Sequence, residues 1–483
     1  MLNGLRVTWL LLVVLTFLMS IFPIQSGDLL LYLAIARRFF AEGKLPETDP
    51  FLYSLTNYWP VYPEWLTYFV WYGIYKLGGW TLVILAKAIL FCSFPVMVAW
   101  LARRLNYRSL APVVIAAVAV WASAYRFIER GSLFSDLLTC WITLTLLLER
   151  RAPGRLKYVL PVIFMVWVNL HPGYPVGLAL CAAAVAVDIR KSRERAWRQL
   201  AGCVVASVLA CLVNPRGLTG FLYPFVFRSG GLRVYKQYVY EFFSPFHPAY
   251  LASNDSFLFT ALVALTGVVW VLAFLEADRG TGKPWFELLC AGLLAYLGST
   301  AIRFVPTATF SLTLICTALL AELKIWPVTN RAAYASGGIL ALICLKIVLW
   351  GYTRPAGHRE LGFGLDLRYF PVASVRYIES LPNTGNIFNE QDFGAYLAWV
   401  WDGKRKYFYD GFTQDANFLE NEYLAMQYGP EEFERITQQY NIRILLLSRF
   451  IGLERFLPIL SRKPEWKLVH QDPASLVFVK EGG

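Results

Sequence analysis

The sequence of 483 residues is poor in charged side chains, which make up only 16% of it. A soluble chain of this length carries roughly 120 Asp, Glu, Lys and Arg residues, whereas this one has 45 Lys and Arg and 33 Asp and Glu. Hydrophobic residues make up 57% of the chain and aromatic residues 16%, and aromatic side chains are enriched at bilayer interfaces. This composition excludes an ordinary soluble enzyme, a disordered protein and a nucleic-acid-binding module. It predicts a polytopic membrane protein.

Residues that form disulfides or bind metals are few. All eight cysteines lie inside apolar runs and no Cys-x-x-Cys pair occurs, so we interpret them as buried small hydrophobic residues. The four histidines form no pair of ligands, and the predicted outer loops contain no Asp-x-Asp motif. We therefore expect no resident cofactor and no metal site, while a dependence on a divalent metal stays open.

Apolar runs long enough to cross a bilayer recur along the first 352 residues. A spanning helix needs about 20 apolar residues, because nothing in the lipid core satisfies an unpaired backbone. The first run has no small-residue cleavage site and is predicted to be a retained helix rather than a signal peptide. We predict an α-helical bundle of about eleven spans at 5–25, 80–101, 109–127, 132–148, 157–170, 173–188, 199–213, 255–275, 285–302, 304–321 and 333–351.

The positions of the basic residues predict the orientation of the bundle. Short gaps between runs are rich in arginine and lysine, as at 103–108 and 150–157, and such loops lie in the cytoplasm. The alternate gaps include two long ones, 27–79 and 214–254, with fewer basic residues per unit length. We therefore predict a multi-pass protein of the cytoplasmic (inner) membrane with both long loops on the extracytoplasmic side. The net charge of +12 is explained by these loops, without a nucleic-acid partner.

The composition changes near residue 352, and residues 353–483 have the charge balance of a soluble domain. With the N-terminus in the cytoplasm, an odd number of spans places this domain on the extracytoplasmic side. We predict helices at Pro371–Ser380 and Glu431–Tyr440 in a small α/β domain. The predicted strands are Asn386–Asn389, Lys406–Asp410, Ile442–Ser448, Trp466–His470 and Ser475–Lys480, with the last two forming a hairpin.

Three carboxylates mark the first outer loop, residues 27–79. Asp28 follows the first span, and Asp49 and Glu64 precede and follow an aromatic connector. An amphipathic helix over Tyr32–Gly43 and a second helix ending at Gly78-Gly79 are predicted to lie along the membrane surface. Structural roles are open for all three carboxylates: Asp28 as a helix N-cap, Asp49 as part of a turn with the following proline, and Glu64 as an acid in a helix first turn.

The order of these features resembles the GT-C fold glycosyltransferases, which take sugars from polyprenyl-phosphate donors. Protein O-mannosyltransferases and lipid A aminoarabinose transferases show a similar acidic residue after the first span, then a helix, a proline-aromatic segment and a helix ending in glycine. A less characterised bacterial branch adds a Thr-Asp-Pro-Phe run and Glu-Trp-Leu. The matching residues are Asp28, Ala34–Gly43, Thr48–Phe51, Pro60–Leu66, Tyr75–Gly79, Val168–His171, Asn214–Gly217 and Asp410-Gly411.

The resemblance implies a reaction in which a sugar passes from a lipid phosphate to an acceptor hydroxyl of a protein or glycan, with membrane lipids around the site. Asp28 would be the general base, with Glu64 and Asp49 as further catalytic candidates, and the transfer would invert the anomeric carbon. Arginine suits the leaving phosphate because its planar fork binds phosphate bidentately and stays charged. The candidates for binding the donor phosphate are Arg303, Arg126, Arg130, Arg216 and His171. Snorkelling at the interface is the alternative for the arginines, and pairing with backbone carbonyls for His171.

Two other classes of function remain open. A transporter or flippase of a lipid-linked saccharide tends to contain paired repeats and charged residues at mid-membrane, whereas here the ionisable residues gather at span ends with few exceptions, such as Lys87 and Asp136. A non-catalytic assembly subunit would tolerate the loss of the Asp28 carboxylate, and an enzyme would not.

Overall fold

The computed structural model of the protein describes residues 3–55, 62–151, 154–190, 194–229, 238–251, 253–277, 282–323, 328–354, 357–382, 385–412 and 415–481. The chain divides into two compact units. The first, which we call the helical unit, comprises Met1–Phe22, Ile84–Ser229 and Lys236–Phe363. The second, the sheet unit, comprises Pro23–Val83, Gly230–Tyr235 and Gly364–Gly483.

Helices dominate the chain. Those of nine or more residues are α1 (Asn3–Ser20), α2 (Gly27–Glu42), α3 (Trp65–Arg104), α4 (Ala111–Ser123), α5 (Ser132–Arg151), α6 (Leu160–Leu170), α7 (Tyr174–Arg190), α8 (Glu194–Ala210), α9 (Gly217–Ser229), α10 (Asn254–Glu276), α11 (Trp285–Thr300), α12 (Val305–Leu323), α13 (Asn330–Trp350), α14 (Val372–Ser380), α15 (Gln391–Trp401), α16 (Pro430–Gln439) and α17 (Ile451–Leu460).

The helical unit is organised around α12. Its residues from Val305 to Leu320 are all buried, and α4, α5, α10 and α11 pack against it. By contrast, α10 and α13 expose large apolar side chains, among them Phe257, Leu275, Leu342 and Trp350. Such a surface suits lipid rather than water. Within the described residues, six helices are long and apolar enough to cross a membrane, and the protein is a multi-pass membrane protein.

Each of the eleven predicted spans coincides with a helix of the structure to within a few residues. The predicted helix end at Gly78-Gly79 is also present, as a break inside α3 where Gly79 has φ 60° and ψ −155°. Only glycine adopts that backbone conformation readily, so the sequence itself specifies the break. In the described part of the long gap 214–254, the structure contains α9, the 3-10 turn Tyr240–Phe242 and a short helix at Pro248–Leu251, which the sequence analysis did not predict.

The sheet unit contains a four-stranded mixed sheet. Its strands are β3 (Asn386–Asn389), β4 (Ile442–Ser448), β5 (Trp466–Gln471) and β6 (Ser475–Lys480), in the order β3-β4-β6-β5. The β3 and β4 strands are parallel, and the pairs β4-β6 and β5-β6 are antiparallel. The predicted hairpin is confirmed, with Asp472 accepting the N–H groups of Ala474 and Ser475 in its turn. A separate two-stranded hairpin, β1 (Tyr352–Arg354) and β2 (Gly357–Arg359), belongs to the helical unit.

One predicted strand of the C-terminal region is wrong. Residues Lys406–Asp410 form no strand with the sheet; instead, Tyr407 makes a single parallel bridge with Leu52 of the first loop. The apolar pattern of 406–410 arises because Tyr407, Phe408 and Tyr409 are buried. A short buried segment has the same apolar pattern whether or not it forms a strand. Helices α15 and α17 were not predicted.

The segment that follows the first span is also different from the prediction. Helix α2 begins at Gly27 rather than at Tyr32, and it ends at Glu42, with Gly43 at φ 76° as its C-cap. Its residues Leu29 to Ala36 are all buried, so this half does not lie on a surface. Within the sheet unit, α2 packs against α15, and the Arg37 guanidinium pairs with Asp402 at 3.1 Å. Residues 56–61 of the aromatic connector lie outside the described part of the chain.

Candidate functional site

Asp28 lies in the first turn of α2, with Ser26 at the N-cap position. The structure therefore does not make Asp28 the N-cap. A carboxylate in a helix first turn interacts favourably with the positive end of the helix dipole. The Asp28 side chain is partly exposed, in contrast to the fully buried leucines that follow it. The helix thus holds an ionisable group at its accessible end.

Tyr32 connects the surroundings of Asp28 with Glu64. It lies one helical turn after Asp28, on the same face of α2, and its hydroxyl donates a hydrogen bond to Glu64 Oε2 at 2.6 Å. Burial, together with the negative charges of Glu64 and Asp28, raises the pKa of the Tyr32 hydroxyl well above its ordinary value. The hydroxyl therefore remains a donor at any physiological pH. Tyr32 thus binds one predicted catalytic carboxylate, that of Glu64, and interacts electrostatically with a second, that of Asp28.

The aromatic rings around Tyr32 hold it in place. Its ring stacks on that of Tyr68 at 4.7 Å between centroids and meets Phe412 edge-on at 5.5 Å. Phe412 in turn donates its backbone N–H to Asp410 Oδ1 at 3.0 Å. The Asp410-Gly411 pair singled out in the sequence is thereby linked to the Asp28 helix through one ring contact.

Asp49 lies beside Asp410 and has a structural role. One of its oxygens, Oδ1, accepts the backbone N–H groups of Phe51 and Leu52 at 2.8 and 3.0 Å, which fixes the turn expected before a proline. Burial and the charge of Asp410 raise the pKa of Asp49 to about 7, against the opposite effect of these two hydrogen bonds. Asp410 itself is buried and accepts the Tyr407 hydroxyl at 2.8 Å.

Three of the arginines predicted to bind phosphate meet on one carboxylate in the helical unit. Glu241 Oε2 accepts Nη1 of Arg126 at 2.8 Å and also pairs with Arg130, while Oε1 lies 3.3 Å from Nη1 of Arg303. We call Arg126, Arg130 and Arg303 the arginine cluster. Burial alone would raise the pKa of Glu241, but Arg130, Arg303 and Arg126 hold it well below its ordinary value.

Short helical turns position the arginine cluster. Arg126 ends a 3-10 turn after α4, and Arg303 lies in another between α11 and α12. The turn that carries Glu241, Tyr240–Phe242, is tied to the second of these because the Ile302 N–H donates to the Phe243 carbonyl at 2.7 Å. The Arg303 guanidinium lies 4.6 Å from the centroid of the Phe242 ring. The cluster is therefore fixed by backbone contacts as well as by charge.

The cluster has spare donor capacity. Arg126 is buried and, among the described residues, its Nε has no hydrogen-bond partner, while its Nη2 donates to Ser132 Oγ at 3.0 Å. An orphaned buried donor is costly. A set of three guanidinium groups with an unfilled donor fits an anion with several acceptor oxygens, such as a phosphate.

His171 is held as a neutral ring in the turn between α6 and α7. Its Nδ1 accepts the Gly173 N–H at 3.1 Å and lies 2.7 Å from the Ser135 hydroxyl. Burial, together with the positive charges of Arg303 and Arg126, lowers the pKa of His171 to about 3. Because Nδ1 accepts, the proton of the neutral ring is on Nε2. The ring interacts electrostatically with Arg303 and Arg126, and its Nδ1 is held by the Ser135 hydroxyl and the Gly173 N–H.

Arg216 differs from the other predicted arginines. It is exposed, and its backbone N–H donates to Asn214 Oδ1 at 2.9 Å within the turn before α9. No group of three His, Cys, Asp or Glu side chains suited to a metal ion occurs in the described part of the chain.

Sequence reasoning missed Glu241 and Tyr32. Glu241 is an acidic residue in the long gap 214–254 between predicted spans, and the number of arginines predicted to lie on the same side could have prompted a search for their counter-ion. Asp136, noted only as an exception inside a span, is buried and accepts the hydroxyl of Thr307. An ionisable group at that depth is a functional candidate by default.

The fold is similar to the GT-C fold of ArnT and to that of an archaeal oligosaccharyltransferase. ArnT from Cupriavidus metallidurans in the apo state matches with a TM-score of 0.57 and 13% identity, over 98% of this chain and 97% of that chain. The same protein bound to undecaprenyl phosphate matches over the same shares with a TM-score of 0.51 and 13% identity. The oligosaccharyltransferase from Archaeoglobus fulgidus in the apo form matches with a TM-score of 0.54 and 12% identity, over 92% of this chain and 69% of that chain.

These matches confirm the predicted fold class, a helical membrane bundle with a small C-terminal mixed sheet. No family model matches the sequence. No curated protein matches it either.

Proposed function

We propose that the protein is a membrane glycosyltransferase that moves a sugar from a polyprenyl-phosphate donor to an acceptor hydroxyl on the extracytoplasmic side. The observation that carries this proposal is the arginine cluster in a chain with the GT-C fold. Support for the ligand comes from ArnT, which has been solved with undecaprenyl phosphate. Three guanidinium groups supply the positive charge and the donors that a lipid phosphate needs.

The proposed reaction has two chemical tasks. Asp28 accepts the proton of the acceptor hydroxyl as its oxygen attacks the anomeric carbon. The bond from that carbon to the donor phosphate breaks, its electron pair stays on the phosphate oxygen, and the diester becomes a monoester. The arginine cluster stabilises the charge that develops there. One displacement inverts the anomeric carbon.

The other candidates have supporting roles. Glu64 and Tyr32 position the Asp28 region, Asp49 shapes the turn beside Asp410, and the Nε2–H of His171 is a neutral donor for a phosphate oxygen. Arg216 stays a separate prediction. We also propose that residues 353–483 form the extracytoplasmic domain and contribute to the choice of a protein or glycan acceptor.

Ligand-dependent melting tests the proposal. Purified protein in detergent is heated with undecaprenyl phosphate or with undecaprenol, which has the same chain without the phosphate. A ligand present at 100 times its Kd stabilises the protein by about 2.7 kcal/mol, so undecaprenyl phosphate should raise Tm and undecaprenol should not. Arg303→Gln should abolish the shift, and Arg331→Gln, which removes an exposed arginine of α13, should preserve it. Equal shifts with both lipids would refute phosphate recognition.

The sugar is then identified with a panel of undecaprenyl-phosphate sugars, by asking which one is consumed. Asp28→Asn separates this function from the alternatives. An enzyme loses turnover in this variant but still binds the donor, whereas an assembly subunit or a flippase keeps its function.

A further inference from the structure

Glu241 engages the donors that a phosphate would need. Its two carboxylate oxygens accept from Nη1 of each of the three arginines. The Glu241 side chain is 26% exposed and that of Arg126 only 6%. A phosphate approaching Arg126 therefore meets a site already filled by an anion of the protein itself.

The competition is permanent because Glu241 is ionised at every physiological pH. The arginines hold its pKa well below the ordinary value, so protonation does not free them. The three guanidinium groups and one carboxylate carry a net charge of about +2, which matches the charge of a polyprenyl phosphate monoester, the product, near neutral pH. The product dianion would bind such a site more tightly than the donor monoanion, and its release then becomes a kinetic problem.

We propose that Glu241 is a built-in competitor of the lipid phosphate. The Glu241 carboxylate binds the arginine cluster when no lipid phosphate is bound, and it returns to the cluster as the polyprenyl phosphate product leaves. This inference rests on the proposed function. Glu241 does not touch the reacting atoms; it is a positioning residue that acts through the arginines. Its effect is to weaken product binding and so to speed release.

Removal of the competitor should tighten binding. If the arginines are free of Glu241 in ~10% of molecules, Glu241→Gln lowers the Kd for undecaprenyl phosphate by about tenfold. A purely structural ion pair predicts the opposite, because arginines left without a partner lose their arrangement. The matched control is Glu360→Gln, which removes the same charge from an exposed residue of the same unit and should leave the Kd unchanged. Unchanged or weaker binding in Glu241→Gln overturns the inference.

A second measurement does not depend on the stability of that variant. In a structure of the wild-type protein with undecaprenyl phosphate, the phosphate should contact the arginine cluster, and the Glu241 carboxylate should have left at least one of its three partners. A phosphate bound there with all three ion pairs intact overturns the competition but keeps the proposed function. A phosphate bound away from the cluster, or no binding by the wild type, refutes the proposed function itself.

Discussion

The Tyr32 hydroxyl donates a 2.6 Å hydrogen bond to the carboxylate of Glu64, although the two residues are separated by the whole aromatic connector. Tyr32 is fully buried and lies one helical turn from Asp28. A charge-assisted bond of this kind stabilises more than a neutral one. Glu64, which immediately precedes α3, is thereby joined to the helix that carries Asp28.

Asp28→Asn should reduce sugar transfer by ~10²–10⁴-fold, the range that general base catalysis typically contributes. The amide has nearly the same shape, so the fold and donor binding should not change. Transfer from the accepted polyprenyl-phosphate sugar is the measurement, with Glu42→Gln at the exposed end of the same helix as the control. Full activity in Asp28→Asn would show that another group removes the proton.

Tyr32→Phe should weaken the link between Glu64 and the Asp28 helix. A hydrogen bond to a charged group contributes roughly 1.5–3 kcal/mol, so the loss should appear in Tm and as a lower kcat for transfer. Tyr53→Phe is the control, because its hydroxyl also donates within the sheet unit, at 3.0 Å, but to the backbone carbonyl of Ile387. If Tyr32→Phe lowers Tm alone and leaves kcat unchanged, the tyrosine has only a structural role.

The Asp49 carboxyl should make the protein less stable as the pH rises towards 7. The pKa of Asp49 is about 7 against an ordinary value of 3.8. Between about pH 4 and pH 7 this carboxyl therefore binds more protons in the folded chain than in the unfolded chain, and its contribution to the free energy of unfolding decreases with pH. His171, with a pKa of about 3, contributes in the opposite sense, so the measurement is the difference in Tm between Asp49→Asn and the wild type. This difference should grow from pH 4 to pH 7 and leave the variant with the higher Tm at pH 8.

The control for that profile is Asp415→Asn, which changes another carboxylate that accepts a backbone N–H, that of Phe418 at 2.9 Å. It should leave the slope between pH 4 and pH 7 unchanged. A difference in Tm between Asp49→Asn and the wild type that stays constant over this window would contradict the assignment of a raised pKa to Asp49.

The ion pair between Lys87 and Glu129 should be sensitive to the loss of either partner. The two groups are 2.6 Å apart and fully buried. Removing one partner of a buried pair costs about 3–5 kcal/mol, because the other charge is left without compensation. Lys87→Met or Glu129→Leu should therefore lower the Tm in detergent, and the double variant should regain most of the loss. The exposed pair Lys44–Glu47, with side chains 67% and 66% exposed, is the control, and breaking it should not change Tm measurably.

Local patterns predicted much of the fold. The helix break at Gly78-Gly79 follows from the two glycines, which readily adopt its backbone conformation. Strand β4 and the β5-β6 hairpin follow from short apolar runs with turn residues between them. Where a local pattern was ambiguous the prediction failed. Residues Lys406–Asp410 are buried as a strand would be, but they form only a single bridge, between Tyr407 and Leu52, which lies 355 positions earlier in the chain.

The sequence predicted the types of residue in the site but not which of them form ion pairs with each other. The sequence singled out Arg126, Arg130 and Arg303 because they lie near predicted span ends. It did not reveal Glu241, which is 115 positions from Arg126 and 62 from Arg303. Ion pairs over such separations have no local signature, since they depend on how several helices pack together.

The sequence by itself determined the membrane bundle, the C-terminal sheet and the kinds of side chain available for phosphate and proton chemistry, because hydrophobic runs, glycines and alternating strands act over a few residues. Only the tertiary structure decided which charges meet. It bonded Tyr32 to Glu64 and gathered three arginines on Glu241, because the packing of helices brings together side chains that are remote along the chain.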